Sequence, residues 1–138
     1  MGLYLCVLDE GKNDIEGVEV GSYDDFDYFR SAVVQFVEED KAGSVCPTLI
    51  LHSDCDGVWT PEESVKLKEE LGYISSIFIN KRPIRFNSNW QDAIASEIGL
   101  HPSNLYESFI DVDGEFLIER LVELCDISEK MQCNIYFQ

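Results

Sequence analysis

A chain of 138 residues carries 27 acidic residues against 10 Lys and Arg, a formal charge of −17, with 45% of it hydrophobic and 12% aromatic. That much apolar surface supports one folded domain over residues 1–138, argues against disorder, and is too little for two well-built cores. The acidity disfavours contact with phosphate backbones, so no nucleic acid is expected as a partner, and no apolar run approaches the ~18 residues that span a bilayer.

Leu3 to Leu8 is rich in strand formers and reads as the first strand. It runs into Asp9 and Glu10 with no basic start and no small-residue cleavage site, so it does not read as a secretory leader, and a cytoplasmic location is expected. Myristoylation at Gly2 would want Ser or Thr where Cys6 stands. An acidic, Gly-punctuated stretch from Asp9 to Gly17 leads to a short strand at Val18 to Val20. Ser22 stands three residues before Asp25, a helix-start pattern, and Phe26, Phe29, Val33, Phe36 and Val37 then recur at steps of three and four. The spacing predicts a helix ending near Lys41-Ala42-Gly43.

Thr48 to Leu51 is a short apolar run after Pro47 and is expected to form a central strand, followed by a tight turn over His52 to Gly57. Thr60-Pro61-Glu62-Glu63 is a strong helix start: Thr caps, Pro takes the first helical position and Glu the third. The apolar spacing carries this helix to about Asn80, with Gly72 a weak point and Lys81-Arg82-Pro83 the stop. A shorter helix begins at Ser88 or Asn89 and stops at Gly99. Leu105 to Ile110 is expected to be a strand, Asp111 to Gly114 a turn, and Leu117 to Ile127 a helix. Ile135 to Phe137 supplies a closing strand, which, if exposed, would offer an edge to a second copy. About four helices over a small sheet of about four strands, including both chain ends, make an α+β domain.

Three constellations carry chemistry. Asp111-Val112-Asp113-Gly114 resembles the nucleophile motif of haloacid-dehalogenase-type phosphatases, where one carboxylate attacks phosphorus, the second serves as acid and base, and a metal ion lies between. The doubly wound sheet that such a site needs has no room between Glu115 and Gln138. The same segment, or Asp54-Cys55-Asp56-Gly57, could open a calcium loop, though each has one oxygen ligand too few before its glycine. Asp-x-Asp-Gly also simply builds a turn, and that is the simpler account of both; no cofactor or metal is expected. His52 and Cys55 could pair as base and nucleophile, but residues three apart on a turn rarely aim an imidazole at a thiol. None of the five cysteines forms a Cys-x-x-Cys pair, which fits reduced thiols in a cytosolic protein.

Charge is the third. Between Asp9 and Asp27 eight acids face Lys12 alone, and five of the ten bases are Lys66, Lys68, Lys81, Arg82 and Arg85. A charge of −17 exceeds the roughly 2 to 8 units that solubility asks of a small domain. The excess points to a basic protein partner, met faster through electrostatic steering.

Long segments carry a wider likeness: Met1-Gly2-Leu3-Tyr4-Leu5-Cys6, Gly17 to Tyr23, Thr48 to Trp59, Phe86 to Gln91 and Leu105 to Glu115. In that order they resemble the immunity proteins of bacterial polymorphic-toxin systems, specifically the immunity protein 70 family. The resemblance implies a small cytoplasmic α+β protein, without enzymatic activity or cofactor, that binds a cognate toxin domain and neutralises it by occlusion. The expected contact surface is the pair of turns at Asp54, Asp56 and Trp59 and at Asp111, Asp113 and Glu115. Parallel strands would place both turns on one edge of the sheet. The acidic cluster Asp24, Asp25 and Asp27 is the second candidate, and Trp59 and Trp90 are expected more often in the core than at an interface.

Overall fold

The structure, a computed structural model, describes residues 2–138. Strands β1 (Gly2–Leu8) and β2 (Asp14–Ser22) form an antiparallel hairpin. Helix α1 (Tyr23–Phe36) follows directly, then the one-turn helix α2 (Pro47–Ile50) and the two-residue strand β3 (Val58–Trp59). Helices α3 (Pro61–Phe78), α4 (Asn89–Ile98) and α5 (Leu117–Met131) precede the closing strand β4 (Ile135–Phe137). Among the described residues the sheet has four strands in the order β2-β1-β4-β3, every pair antiparallel. The fold is α+β, with both chain ends in the sheet.

Alternation along β1 sends Leu3, Leu5 and Val7 into the core, where Phe26 and Phe29 of α1, Leu67, Leu71 and Phe78 of α3 and Leu121 and Leu124 of α5 meet them. Tyr4 and Cys6 take the other face, and Cys6 pairs in register with Tyr136. The helix starts follow from local chemistry. Ser22 Oγ accepts from Asp25 N at 3.1 Å while Asp25 Oδ2 accepts from Ser22 N at 2.8 Å, and Thr60 and Glu63 repeat the exchange at 3.2 and 3.0 Å.

Five expectations need correction. Strand β2 runs over Asp14–Ser22 rather than the short Val18 to Val20, because it pairs with β1 along the whole of that strand. Helix α1 stops at Phe36 rather than near Gly43: Glu39 and Asp40 turn left-handed (φ 52° and 64°), and the chain wraps the buried Glu38 carboxylate, which accepts from Gly43, Val45 and Cys46 N–H groups. Thr48 to Leu51 is not a strand, because Pro47 starts a helical turn and the Glu70 carboxylate accepts from Thr48 and Leu49 N–H at 3.1 and 3.0 Å. Leu105 to Ile110 holds a 3-10 turn at Tyr106–Ser108 and contributes one isolated bridge, Ile110 to Phe116, instead of a strand. The closing strand β4 is internal, flanked by β1 and β3, so it offers no free edge to a second copy.

The edges themselves are blocked. On β2, Gly17 O accepts from Arg120 Nη2 at 2.9 Å and Glu19 O accepts from Val112 N at 3.0 Å. On β3, Val58 O lies 2.9 Å from His52 Nε2. Occupied carbonyls of this kind discourage edge-to-edge pairing.

Candidate functional site

The two turns expected on one surface lie on opposite edges of the sheet. His52 to Gly57 feeds β3, whereas Val112 is bonded to β2, and three inter-strand steps of about 4.8 Å put these edges roughly 14 Å apart. The parallel strands that would have united them are not there, because one became α2 and the other a 3-10 turn.

At the β3 edge, Asp56 is exposed, Asp54 is half-buried, and Trp59 is fully buried with its indole N–H donating to Thr48 O at 3.0 Å. His52 stacks on Phe137 with ring centroids 4.4 Å apart and 18° between planes. Its two ring nitrogens lie 2.8 Å from Ser53 O and 2.9 Å from Val58 O, so neither is aimed at the Cys55 thiol. The imidazole fastens the turn to the sheet.

At the β2 edge, Asp111 is 1% exposed. Its Oδ1 accepts from the N–H groups of Asp113 and Glu115, both at 3.0 Å, which closes the Asp-x-Asp-Gly turn. Oδ2 is buried 3.4 Å from Arg120 Nε. Burial pushes the Asp111 carboxyl up from its ordinary value, against the turn N–H groups that favour the anion. Arg120 reaches further, to Glu123 at 2.8 Å and Glu16 at 3.4 Å, tying α5 to β2. Asp111 therefore presents no free oxygen outward for attack on a phosphate. Asp113 and Glu115 are exposed beside it. Among the described residues no three His, Cys, Asp or Glu side chains converge as a metal cluster requires.

What the structure does bring together is the Asp111 turn and the second acidic cluster. A groove of about 610 Å³ runs between the β1–β2 hairpin and α4, walled by Tyr4, Glu19, Asp25, Trp90, Ile94 and Val112. At its base Asp25 is 3% exposed and accepts five hydrogen bonds: from Ser22 N and Oγ, Asn87 Nδ2, Ser88 Oγ and Trp90 Nε1. Burial pushes this carboxyl up, but the hydrogen bonds from Ser88, Asn87, Ser22 and Trp90 together outweigh it and hold the group below its ordinary value. Asp25 is thus an anion, and none of its partners is a cation. Gly21, at φ +117°, makes room for the assembly: a Cβ there would sit 2.6 Å from both Asp25 Oδ2 and Trp90 Cζ2. Asp24 is exposed on the first turn of α1, and Asp27 pairs with Arg30 at 2.9 Å. Sequence reasoning named the acids but left out Glu19, Trp90 and Ile94 as site residues. The helix start at Ser88 and stop at Gly99 were the signals pointing to α4.

The family model described as Immunity protein 70 matches residues 3–137. The chain belongs to the immunity protein 70 family. Neither the curated proteins nor the solved structures contain a match. The family makes the chain an immunity protein of a toxin system, and an immunity protein implies a toxin protein as partner. Among the described residues no helix is long and apolar enough to cross a membrane.

Proposed function

We propose that this immunity protein works in the bacterial cytoplasm, where it binds the toxin domain of a polymorphic-toxin system encoded beside it and silences that domain by occlusion. The observation that carries the reading is the family match over 3–137, essentially the whole chain. Binding alone suffices for such a role, with no turnover and no cofactor. Physical support comes from the charge of −17 and a sequence pI near 4.2. A toxin that acts on nucleic acid or another anionic substrate needs a basic surface, and an acidic inhibitor is drawn to that surface at long range. Once docked, it occupies the space the substrate would use. Tight inhibition further needs a desolvated anchor near the centre of the contact. The exposed acids of both sheet edges, Asp56 on one and Asp24, Asp113 and Glu115 on the other, supply the steering field together with half-buried Asp54.

Co-expression tests this directly. The adjacent toxin domain expressed alone should stop growth, and growth should return when this chain is made with it. Growth arrest that persists beside an equal amount of folded chain would contradict the proposal.

A further inference from the structure

We propose that the groove between the β1–β2 hairpin and α4 is the anchor site for the partner, and that it receives a Lys or Arg side chain carried on an apolar segment of the toxin domain. This rests on the proposed function for the identity of the partner; the chemistry rests on the groove itself. Glu19 and Asp25 line it, and among the described residues no Lys, Arg or His does. Asp25 holds its charge through dipoles alone, in a nearly buried position. Its field therefore extends into the groove uncancelled by any bound cation. Trp90, Tyr4 and Ile94 supply walls for the methylene stem of a long basic side chain, with aromatic rings near its charged head.

The rim is apolar and open. Val112, which lines the groove, is 38% exposed, and Ile98, one helical turn beyond Ile94 and beside the Gly114 turn, is 55% exposed, so an apolar flanking residue finds surface to cover next to the anchor. The walls are also stiff. Trp90 is held by Asp25, and a Cβ on Gly114 would lie 3.1 and 3.2 Å from Ile94 and Ile98, which shows how closely α4 approaches the turn. Strand addition is not the mode here, because the Gly17 and Glu19 carbonyls of β2 are already taken by Arg120 and Val112. Recognition through inserted side chains remains, and Arg in a desolvated pocket is a frequent anchor of that kind.

Two measurements test this. In the first, the purified toxin domain is titrated with wild type, Glu19→Lys, Val112→Arg and Asp56→Lys, each checked for an unchanged melting temperature. Glu19→Lys and Asp56→Lys make the same charge change on opposite edges of the sheet. The groove variants should weaken binding on the order of 10-fold or more, and Asp56→Lys less than about 3-fold. Equal losses at Glu19 and Asp56, or groove variants that bind like wild type, overturn the inference and leave the proposed function standing. In the second, N-acetyl-arginine methylamide is titrated into the labelled chain and followed by NMR. Shifts confined to the Trp90 indole N–H and the amides of Gly21, Ser22 and Val112 support the groove; shifts spread evenly over the acidic surface overturn it. A wild-type chain that fails to bind the toxin domain, while the arginine probe still localises, refutes the proposed function and with it the toxin as occupant.

Discussion

Replacing Asp25 by Ala should be among the most damaging single changes in this protein, and its size follows from the geometry. The substitution removes one half of the α1 capping box, which costs about 1 kcal/mol. It also strips the acceptor from Ser88 Oγ and Trp90 Nε1, both only partly exposed, whose bonds to a charged oxygen are worth about 1.5–3 kcal/mol each. Asn87 is exposed and finds water instead. Water entering from the groove recovers part of the loss, so the net destabilisation should be roughly 3 kcal/mol, a fall of about 10 °C in Tm for a domain of this size. Urea unfolding followed by circular dichroism measures it. Asp25→Asn should restore little, since its amide places N–H groups against donors whichever way it is turned. The acid limb gives an independent check. Because the folded pKa of Asp25 is depressed, its contribution is present above the unfolded value of about 3.9 and is lost as pH falls through the folded one. The stability gap between wild type and Asp25→Asn should therefore close below about pH 4. A loss under about 1 kcal/mol, or a gap independent of pH, would refute the account of Asp25 as the pin joining α1, β2 and α4.

Other predictions are smaller. Gly72→Ala should stabilise by about 0.5–1 kcal/mol in urea unfolding, because the position is in mid-helix and a Cβ there meets nothing within 4 Å. Iodoacetamide should label exposed Cys55 first and half-buried Cys133 more slowly in the native protein, with Cys6, Cys46 and Cys125 reacting only on unfolding; burial pushes their thiols to about 11, 12 and 12. Burial and the hydrogen bond to Asp14 push Tyr4 to about 12, so the 295 nm titration of native protein should contain a late phenol that Tyr4→Phe removes and Asp14→Asn brings earlier. Since the unfolded phenol ionises first, stability from this group is lost as pH rises from 10.0 towards 12.

Features governed by neighbours in sequence were legible. Ser22 with Asp25 and Thr60 with Glu63 announced α1 and α3 from three-residue spacings, and the apolar faces placed α3 and α5, with α5 running one turn past Ile127 to Met131. Short apolar runs were not. Thr48 to Leu51 has the composition of a buried strand, and it takes the distant Glu70 carboxylate, 21 and 22 residues away, together with Pro47 at the first position, to settle it as a helical turn. The strand at Val58 and Trp59 is too short to carry any alternation and exists because β4 pairs with it. The site divides the same way. The acidic turns could be seen, but the groove depends on Trp90 meeting Asp25 across 65 positions, which no local pattern encodes. Asp111 was visible as a motif, while its inward orientation required Arg120 on α5.

The central claim, that the chain acts by occupying its partner, is tested most directly by titrating it into a fixed amount of active toxin domain and following the toxin's own reaction. Activity should fall linearly to zero at one equivalent and return when the complex is dissociated, with association slowing as salt is raised. Full toxin activity in the presence of excess folded chain, or inactivation by a substoichiometric amount through chemical change of the toxin, would contradict it.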